Sequence, residues 1–444
     1  MLGREKAQRV LEMALAASKA EQTEAVLLAH DSSLTRFARN TIHQNVSERD
    51  ATLRVRAVIG HRSGVAFGND LSREGISGLA ERALAVARLQ PEDPQFPGLP
   101  GRQRYQQVRA ADESTANCSP ERRARLAGSL CRRCASMGLN AAGALETGLH
   151  ELAIANSQGV EAYHAYTTAE ITTVVMAGDS SGYGYALAGS IDGLDVEDAG
   201  QRAIEKAVRG RNPRAVPAGA YTVVLEPDAA SDILGSLAYT SFGANSFEEQ
   251  ASFMAGHLGE PVLASSVSIK DDPLAPDTIP MPFDYEGVAC RPVPIIEKGV
   301  ARGVVHDSYS AAKARTASTG HALPAPNPAG PLPTHLVLEP GAVSFSEMIA
   351  GLKRGLLITR FHYTRIVHQP TVTVTGMTRD GTFWVENGEI AYPVRNLRFT
   401  ESYVAALQRP ITIGRETRLC GEFGPYLVPP VLIPEFKFTG VTDF

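Results

Sequence analysis

Val10, Leu11, Ala14 and Leu15 recur at helical spacing within the polar run that begins at Arg4, so the chain opens on an amphipathic helix. Glu24-Ala25-Val26-Leu27-Leu28-Ala29 follows as a short apolar segment of the kind a buried strand presents. Leu53, Val55 and Ala57 alternate with Arg54 and Arg56, and after the turn-forming His61-Arg62-Ser63-Gly64 comes Val65-Ala66-Phe67, which predicts a hairpin with one solvated face. Ser72 stands where its hydroxyl can cap a helix that carries Ile76, Leu79, Ala80, Ala83 and Ala87 on one side. Residues 1–90 read as one α+β unit.

Pro91, Pro94, Pro97 and Pro100 fall every third residue and can neither continue a helix nor pair inside a sheet, so residues 91–118 read as a linker. Ser119-Pro120 starts a second helix with Leu126 and Leu130 on its apolar side. From Ala141 to Gly189 short alternating segments, broken at Asn156-Ser157-Gln158-Gly159 and at a Gly/Ser-rich patch, predict an antiparallel meander closed by a helix around 196–208. Residues 119–212 thus form a second α+β unit, ending at Arg211-Asn212-Pro213-Arg214.

Ala220-Tyr221-Thr222-Val223-Val224-Leu225 predicts a strand, followed by Glu226-Pro227-Asp228 and a helical stretch through Leu237. Strands dominate thereafter. Ser344 and Glu347 have capping-box spacing, and Asp380-Gly381 and Asn387-Gly388 both carry the signal of a two-residue hairpin turn. The fold class expected is α+β: an N-terminal α+β region with antiparallel strands and flanking helices, then a β-rich C-terminal domain over 213–444. No solenoid-type repeat and no low-complexity tract stands out.

With 444 residues, 43% hydrophobic and 20% charged, the chain is long enough for two or three domains. A net charge of -5 supplies no broad basic field for phosphates, so nucleic acid is not the expected ligand. No run approaches the roughly 18 apolar residues of a membrane span, and Met1-Leu2-Gly3-Arg4-Glu5-Lys6 leads into a charged helix; a cytoplasmic protein away from membranes is expected. Cys118, Cys131, Cys134, Cys290 and Cys420 are odd in number and fit free thiols in a reducing compartment.

Gly178-Asp179-Ser180-Ser181-Gly182 matches a nucleophile elbow in letters only, because Tyr183-Gly184-Tyr185 is a poor helix start; it reads as a turn. Gly182-Tyr183-Gly184 lacks the third glycine of a dinucleotide fingerprint. Cys131-Arg132-Arg133-Cys134 has no second ligand pair and reads as two helix thiols. No two histidines stand three to five residues apart, so the paired imidazoles of a helix-borne zinc peptidase site are missing; His362 and His368, six apart, are the nearest pair.

Pro282-Phe283-Asp284-Tyr285-Glu286-Gly287, Ile296-Glu297-Lys298-Gly299-Val300, the run Val304 to Lys313, Ser318-Thr319-Gly320-His321 and Phe383-Trp384-Val385-Glu386-Asn387-Gly388-Glu389-Ile390 resemble the TldD/PmbA family of peptide-processing metallopeptidases. So does the ending, Cys420-Gly421 followed by Leu432-Ile433-Pro434-Glu435-Phe436-Lys437. The resemblance implies two subunit types. TldD-type subunits carry zinc on two helix histidines flanking a catalytic glutamate, with a C-terminal cysteine. TldE (PmbA)-type subunits lack the helix motif, and the two together enclose an extended peptide. In this chain the corresponding helix reads Ile233-Leu234-Gly235-Ser236-Leu237-Ala238-Tyr239-Thr240, with Gly235, Ser236 and Thr240 at the motif positions and only Cys420 left of the ligand set.

The resemblance therefore implies a TldE-type subunit with no catalytic residue and no cofactor of its own. Zinc would sit on a TldD-type partner in a heterodimer; self-pairing as a homodimer is the other arrangement. Phe283, Asp284, Glu286 and Gly287 are the candidates for lining the peptide chamber. Two alternatives stay open: an active metallopeptidase with a non-standard metal site drawn from His306, His321, His362, His368 and Cys420, or a non-enzymatic regulatory binding protein.

Overall fold

The computed structural model describes residues 1–442. Helix α1 (Arg4–Ala17) is anchored at its start by Glu151, whose carboxylate accepts from the amides of Leu2 and Gly3 at 2.9 and 2.8 Å. Strands β1 (Gln22–Ala38), β2 (Thr41–Ile59) and β3 (Arg62–Gly68) form an antiparallel meander against which α2 (Arg73–Leu89) packs. After the short α3 (Glu113–Ala116), α4 (Pro120–Ser136), β4 (Asn140–Asn156), β5 (Glu161–Ala177), β6 (Ser180–Ala188) and α5 (Val196–Arg209) repeat the same order of elements. Ser72 and Ser119 accept from the amides of Gly75 and Arg122, as their positions predict.

The two units become one body because β1 pairs antiparallel with β4 from Glu24↔Asn156 to Phe37↔Gly143, giving a single sheet in the order β3-β2-β1-β4-β5-β6. They also share a packing device. A Cβ on Gly64 would lie 2.2 Å from Ala87 N and 2.4 Å from Ala83 O of α2; one on Gly182 would lie 2.0 Å from Ala203 O and 2.6 Å from Ala207 N of α5. Each strand glycine lets a helix backbone settle directly on the sheet.

One face of this sheet is covered by the helices, with Leu27, Leu53 and Val55 against α1 and α2, and Leu145, Ile171 and Val175 against α4 and α5. Cys131 and Cys134 lie in the second of these cores as free buried thiols, while Leu126 is only partly buried at its edge. The strands are longer than the hydrophobic pattern predicts: β1, β4 and β5 each run 17 residues. Stretches such as His30-Asp31-Ser32-Ser33 carry no strand signal of their own, and pairing with neighbours on both sides holds them extended.

The C-terminal part begins with β7 (Gly219–Leu225), α6 (Pro227–Ser241) and α7 (Ala244–Glu248). There follow β8 (Ile269–Asp271), β9 (Val293–Glu297), β10 (Val300–Ala301), α8 (Ser308–Lys313), β11 (Leu336–Leu338) and α9 (Phe345–Ala350). Next come β12 (Arg354–His368), β13 (Thr373–Glu386), β14 (Glu389–Pro393), β15 (Leu397–Ser402) and α10 (Tyr403–Gln408). The chain ends with β16 (Thr412–Ile413), β17 (Arg418–Cys420), β18 (Tyr426–Val428) and β19 (Val431–Val441). Strands β12, β7, β19, β15 and β13 are neighbours in that order and β13 pairs back to β12, closing a barrel around Val223, Ile358, Phe399, Ile433 and Phe436. A second sheet is ordered β10-β9-β8-β11-β18-β17. The fold is α+β with an N-terminal α+β region and a β-rich C-terminal domain.

Asn387-Gly388 makes the expected turn between β13 and β14, with φ of 53° and 82°. Asp380-Gly381 does not. It lies inside β13 opposite a register break in β12, where Asp380 accepts from Arg360 Nε at 2.8 Å and from Ser181 Oγ at 2.6 Å. Gly381, at φ 132°, leaves no room for a Cβ against Thr359 Oγ1, 2.4 Å away. A bulge thus satisfies the local glycine signal as well as a turn does.

The uncovered sheet face meets loops of the C-terminal domain through a buried ion triad: Arg56 donates to Glu24 at 2.8 and 3.0 Å and lies 3.3 Å from Glu286. Removing the guanidinium would strand two carboxylates in a low-dielectric site. Arg56→Ala is expected to lower stability by about 3–5 kcal/mol, read as a lower urea midpoint.

Candidate functional site

Strand β7 feeds through Glu226 into α6, which starts with Pro227 at its first turn, where the missing N–H costs no hydrogen bond. The helix runs to Ser241, four residues beyond the predicted end, because almost all of its surface is buried between the barrel and β17–β18. Gly235 faces the β17–β18 loop: a Cβ built there would fall 2.4 Å from ring atoms of Phe423. The Phe423 ring fills the space a side chain at 235 would need. Thr240 turns its hydroxyl back to Ser236 O at 2.8 Å and toward Ser241 Oγ at 3.0 Å, leaving no outward ligand.

Cys420 is buried beside Ser231 and Asp228, and its thiol points weakly to Arg418 O at 3.8 Å. Burial pushes the thiol well above its ordinary pKa, Asp228 adds to the rise, and the neutral form is held. Asp228 and Asp232 are likewise raised by burial, each to about 6. Asp228 faces Arg418 at 3.2 Å, and Asp232 accepts from Tyr403 and Thr364, both at 2.8 Å. These residues do not fit zinc: position 235 offers no donor, Thr240 is spent on the helix, and Cys420 alone is one ligand where zinc takes three or four.

The histidines singled out from the sequence are dispersed. His321 places Nε2 2.6 Å from Asp271 and Nδ1 against Thr319, wholly buried. His306 donates its backbone amide to Thr319 Oγ1 at 2.7 Å, while its Nδ1 is buried without a partner. His368 lies exposed on Thr371, and His362, half exposed, is separated from it by two register breaks that disrupt the expected strand alternation. Among the described residues no three His, Cys, Asp or Glu side chains group so as to hold a metal ion.

A cavity of about 390 Å³ lies between the sheet face and the C-terminal loops. Its floor includes Glu146, His150, Tyr166, Thr168 and Glu170 of β4 and β5; its roof includes Phe283, Asp284, Tyr285 and His335, and Gly421 and Gly424 close one end. His150 stacks on Tyr166 with centroids 4.8 Å apart and covers Gly148, where a Cβ would be 2.6 Å from the imidazole. Phe283 packs against Tyr105 at 5.0 Å and edge-on to His164 at 6.3 Å.

Of the four chamber candidates, Phe283 and Asp284 line this cavity, and Asp284 also holds its own turn by accepting from the amides of Glu286, Val288 and Ala322. Glu286 is instead directed to Arg56 and to the Ser308 amide at 3.1 Å. Gly287 accepts from Tyr105 OH at 2.8 Å and, at φ 72°, fits where a Cβ would strike Val160 at 2.4 Å. The floor residues were not found from sequence: their alternation along β4 and β5 is plain, but nothing local says which side of the sheet bounds a cavity.

Among the described residues no helix is long and apolar enough to cross a membrane. Residues 218–440 match the PmbA/TldA metallopeptidase C-terminal domain, 107–211 its central domain and 24–87 its domain 1. The chain is 25% identical over 415 residues to Metalloprotease PmbA of Escherichia coli O157:H7, covering 88% of this chain and 86% of that one. It is 27% identical over 403 residues to the Metalloprotease PmbA homolog of Haemophilus influenzae, covering 86% and 85%. The solved structure of TldE from Thermococcus kodakarensis superposes with a TM-score of 0.89 at 19% identity, over 98% of this chain and 99% of that one. A putative modulator of DNA gyrase from Thermotoga maritima superposes at 0.88 with 21% identity, over 97% and 100%. At these identities the structures establish the fold.

Two outcomes follow from the geometry. Gly235→His is expected to destabilise the chain by about 1–3 kcal/mol through overpacking against Phe423, with Phe423→Ala restoring part of the loss; a double-mutant cycle in urea measures the coupling. His150 and His164 are held neutral by burial, each with a pKa of about 4. Their folded values lie below the unfolded value of about 6.5, so the stability they contribute is complete above that pH and lost as pH falls toward 4. Asp228 and Asp232, raised instead, oppose this trend over part of the same window. The difference in stability between wild type and His150→Gln should therefore shrink from pH 7 to pH 4.

Proposed function

Because this chain belongs to the PmbA/TldD metallopeptidase family, we propose that it is a TldE-type subunit, non-catalytic by itself, which pairs with a zinc-bearing TldD-type subunit in the cytoplasm. The observation that carries the reading is the packing of Phe423 onto Gly235. It sets a ring where a ligand would have to stand, close to a lone buried thiol and a threonine bonded to its own helix.

In this reading the chain contributes chamber wall. Its cavity is bounded on the floor by side chains of β4 and β5, Glu146 and Glu170 among them, and by aromatic and imidazole rings, a composition that grips an extended peptide by shape, stacking and a few polar contacts. The low basicity of His150 keeps its ring neutral at physiological pH, so the charge on that wall comes from carboxylates such as Glu146. Cleavage chemistry belongs to the partner, and an unfolded peptide is the substrate class.

The test is elemental analysis of the chain purified alone, together with cleavage of an unstructured peptide by this chain, by a TldD-type subunit from the same genome, and by the two together. No zinc on this chain and cleavage that needs the TldD-type subunit is the expected result. One zinc per chain with chelator-sensitive cleavage by this chain alone would overturn it.

A further inference from the structure

We propose that the floor of the cavity takes the charged end of a lysine or arginine side chain between Glu146 and Glu170, so that the peptides gripped by this wall are basic ones. This rests on the reading of the cavity as chamber wall and gives the chamber a preference among unfolded peptides.

The two carboxylates face each other across the sheet. Glu146 of β4 stands directly opposite Glu170 of β5, and both belong to the cavity floor. The Cβ atoms of such an antiparallel pair are about 5 Å apart, and like charges there oppose the pairing of the strands. Burial raises the pKa of Glu170, and Glu146 adds to the rise. Thr172 Oγ1 donates to Glu170 at 3.3 Å, yet among the described residues no cation forms an ion pair with either carboxylate. Tyr185, 6% exposed, turns its buried hydroxyl toward Glu170 and Gly421, both of which border the cavity, without closing a hydrogen bond. The floor thus holds acceptors and an uncommitted hydroxyl and lacks the positive charge that would satisfy them.

The surroundings do not supply that charge. Of the described residues that bound the cavity, none is Lys or Arg. His150 is held neutral with Nε2 3.1 Å from Thr168 Oγ1, His321 is spent on Asp271 and His335 on Ile279 O. Arg54 and Arg56 of β2 are taken by Ala325 O and by the two glutamates of the ion triad. Arg36 of β1, opposite Ala144, is exposed and pairs with neither carboxylate. The roof loop brings a third acid, Glu422, next to Gly421. Burial and Asp228 raise the Tyr183 phenol, and Glu422 and Glu170 both add to the rise, which sets the three acids at one end of the cavity.

The flanking residues select the kind of cation. Across four strands one row reads Leu34, Glu146, Glu170 and Leu187, so the acidic pair lies between two aliphatic side chains. A metal ion gains nothing from such flanks and needs further ligands, and among the described residues no three His, Cys, Asp or Glu group to hold one. Lysine and arginine lay a run of methylenes along aliphatic surface while the charged head reaches the carboxylates.

The experiment uses the full-length chain with a TldD-type subunit from the same genome, and three unstructured peptides in which every third residue is arginine, glutamine or glutamate. Cleavage gives kcat/KM for each peptide, and fluorescence anisotropy gives the binding of the same peptides to the chain by itself. With wild type the arginine peptide is expected to be preferred over the glutamine peptide by about tenfold at low salt, and by less as salt rises. The double variant Glu146→Gln and Glu170→Gln keeps the shape of both side chains and removes the like-charge contact. It should fold at least as stably, by urea midpoint, and bring the preference close to unity. Glu81→Gln with Glu205→Gln, which removes the same charge from exposed positions on α2 and α5, should leave the preference unchanged. A wild-type preference under about threefold, or one that the cavity variant keeps, sinks the proposal and leaves the pairing standing wherever cleavage still needs both subunits. If cleavage never appears, the pairing is lost and anisotropy decides. Arginine-peptide binding that the cavity variant weakens about tenfold keeps the proposal; equal binding, or none, discards it.

Discussion

The long antiparallel pairing of β1 with β4 is the constraint on which the rest of the molecule depends. It converts two separate helix-and-meander units into one sheet, and so fixes two opposite faces across both units at once. One face is closed by four helices, of which α2 and α5 settle directly on the strands at Gly64 and Gly182. The other must find its cover in the C-terminal domain. Where that cover is tight, at Arg56 and Phe283, the domains are joined; where it lifts away, a cavity remains over His150 and Thr168.

The barrel solves a related problem for α6. Buried on nearly all sides, this helix has little freedom in position, so any side chain it turned toward the β17–β18 loop would be held rigidly, as metal chemistry requires. In this chain the same rigidity serves packing. Asp228, Asp232 and Cys420 are all shifted toward neutrality by burial, and the region is a sealed junction between the barrel and the sheet, lacking an open coordination site.

Much of this was legible in the sequence. The helices near 4–17, 73–89, 120–136 and 196–209 follow from apolar spacing and caps, and the family follows from the motifs between 282 and 437. The duplication of the N-terminal unit was not legible, since Ser63-Gly64 and Ser181-Gly182 are too short a match to be noticed without the helix each one carries. Strands outrun their hydrophobic pattern where polar residues are held extended by neighbours on both sides, and Asp380-Gly381 carries a turn signal inside a strand because a bulge and a turn ask for the same residues. The site was half legible. The family resemblance marks the α6 positions that carry no metal-ligating side chain, but only the three-dimensional packing reveals that Phe423 fills the space over Gly235.

The seating of that ring on a glycine bears on how the chain can change. A larger side chain at position 235 would meet the ring, and loss of the ring alone would open a void beside a glycine. Each single step leads through a less stable protein. Steric occupation thus couples the two positions: residue 235 can grow only if residue 423 shrinks, so the pair can change together far more easily than either can alone.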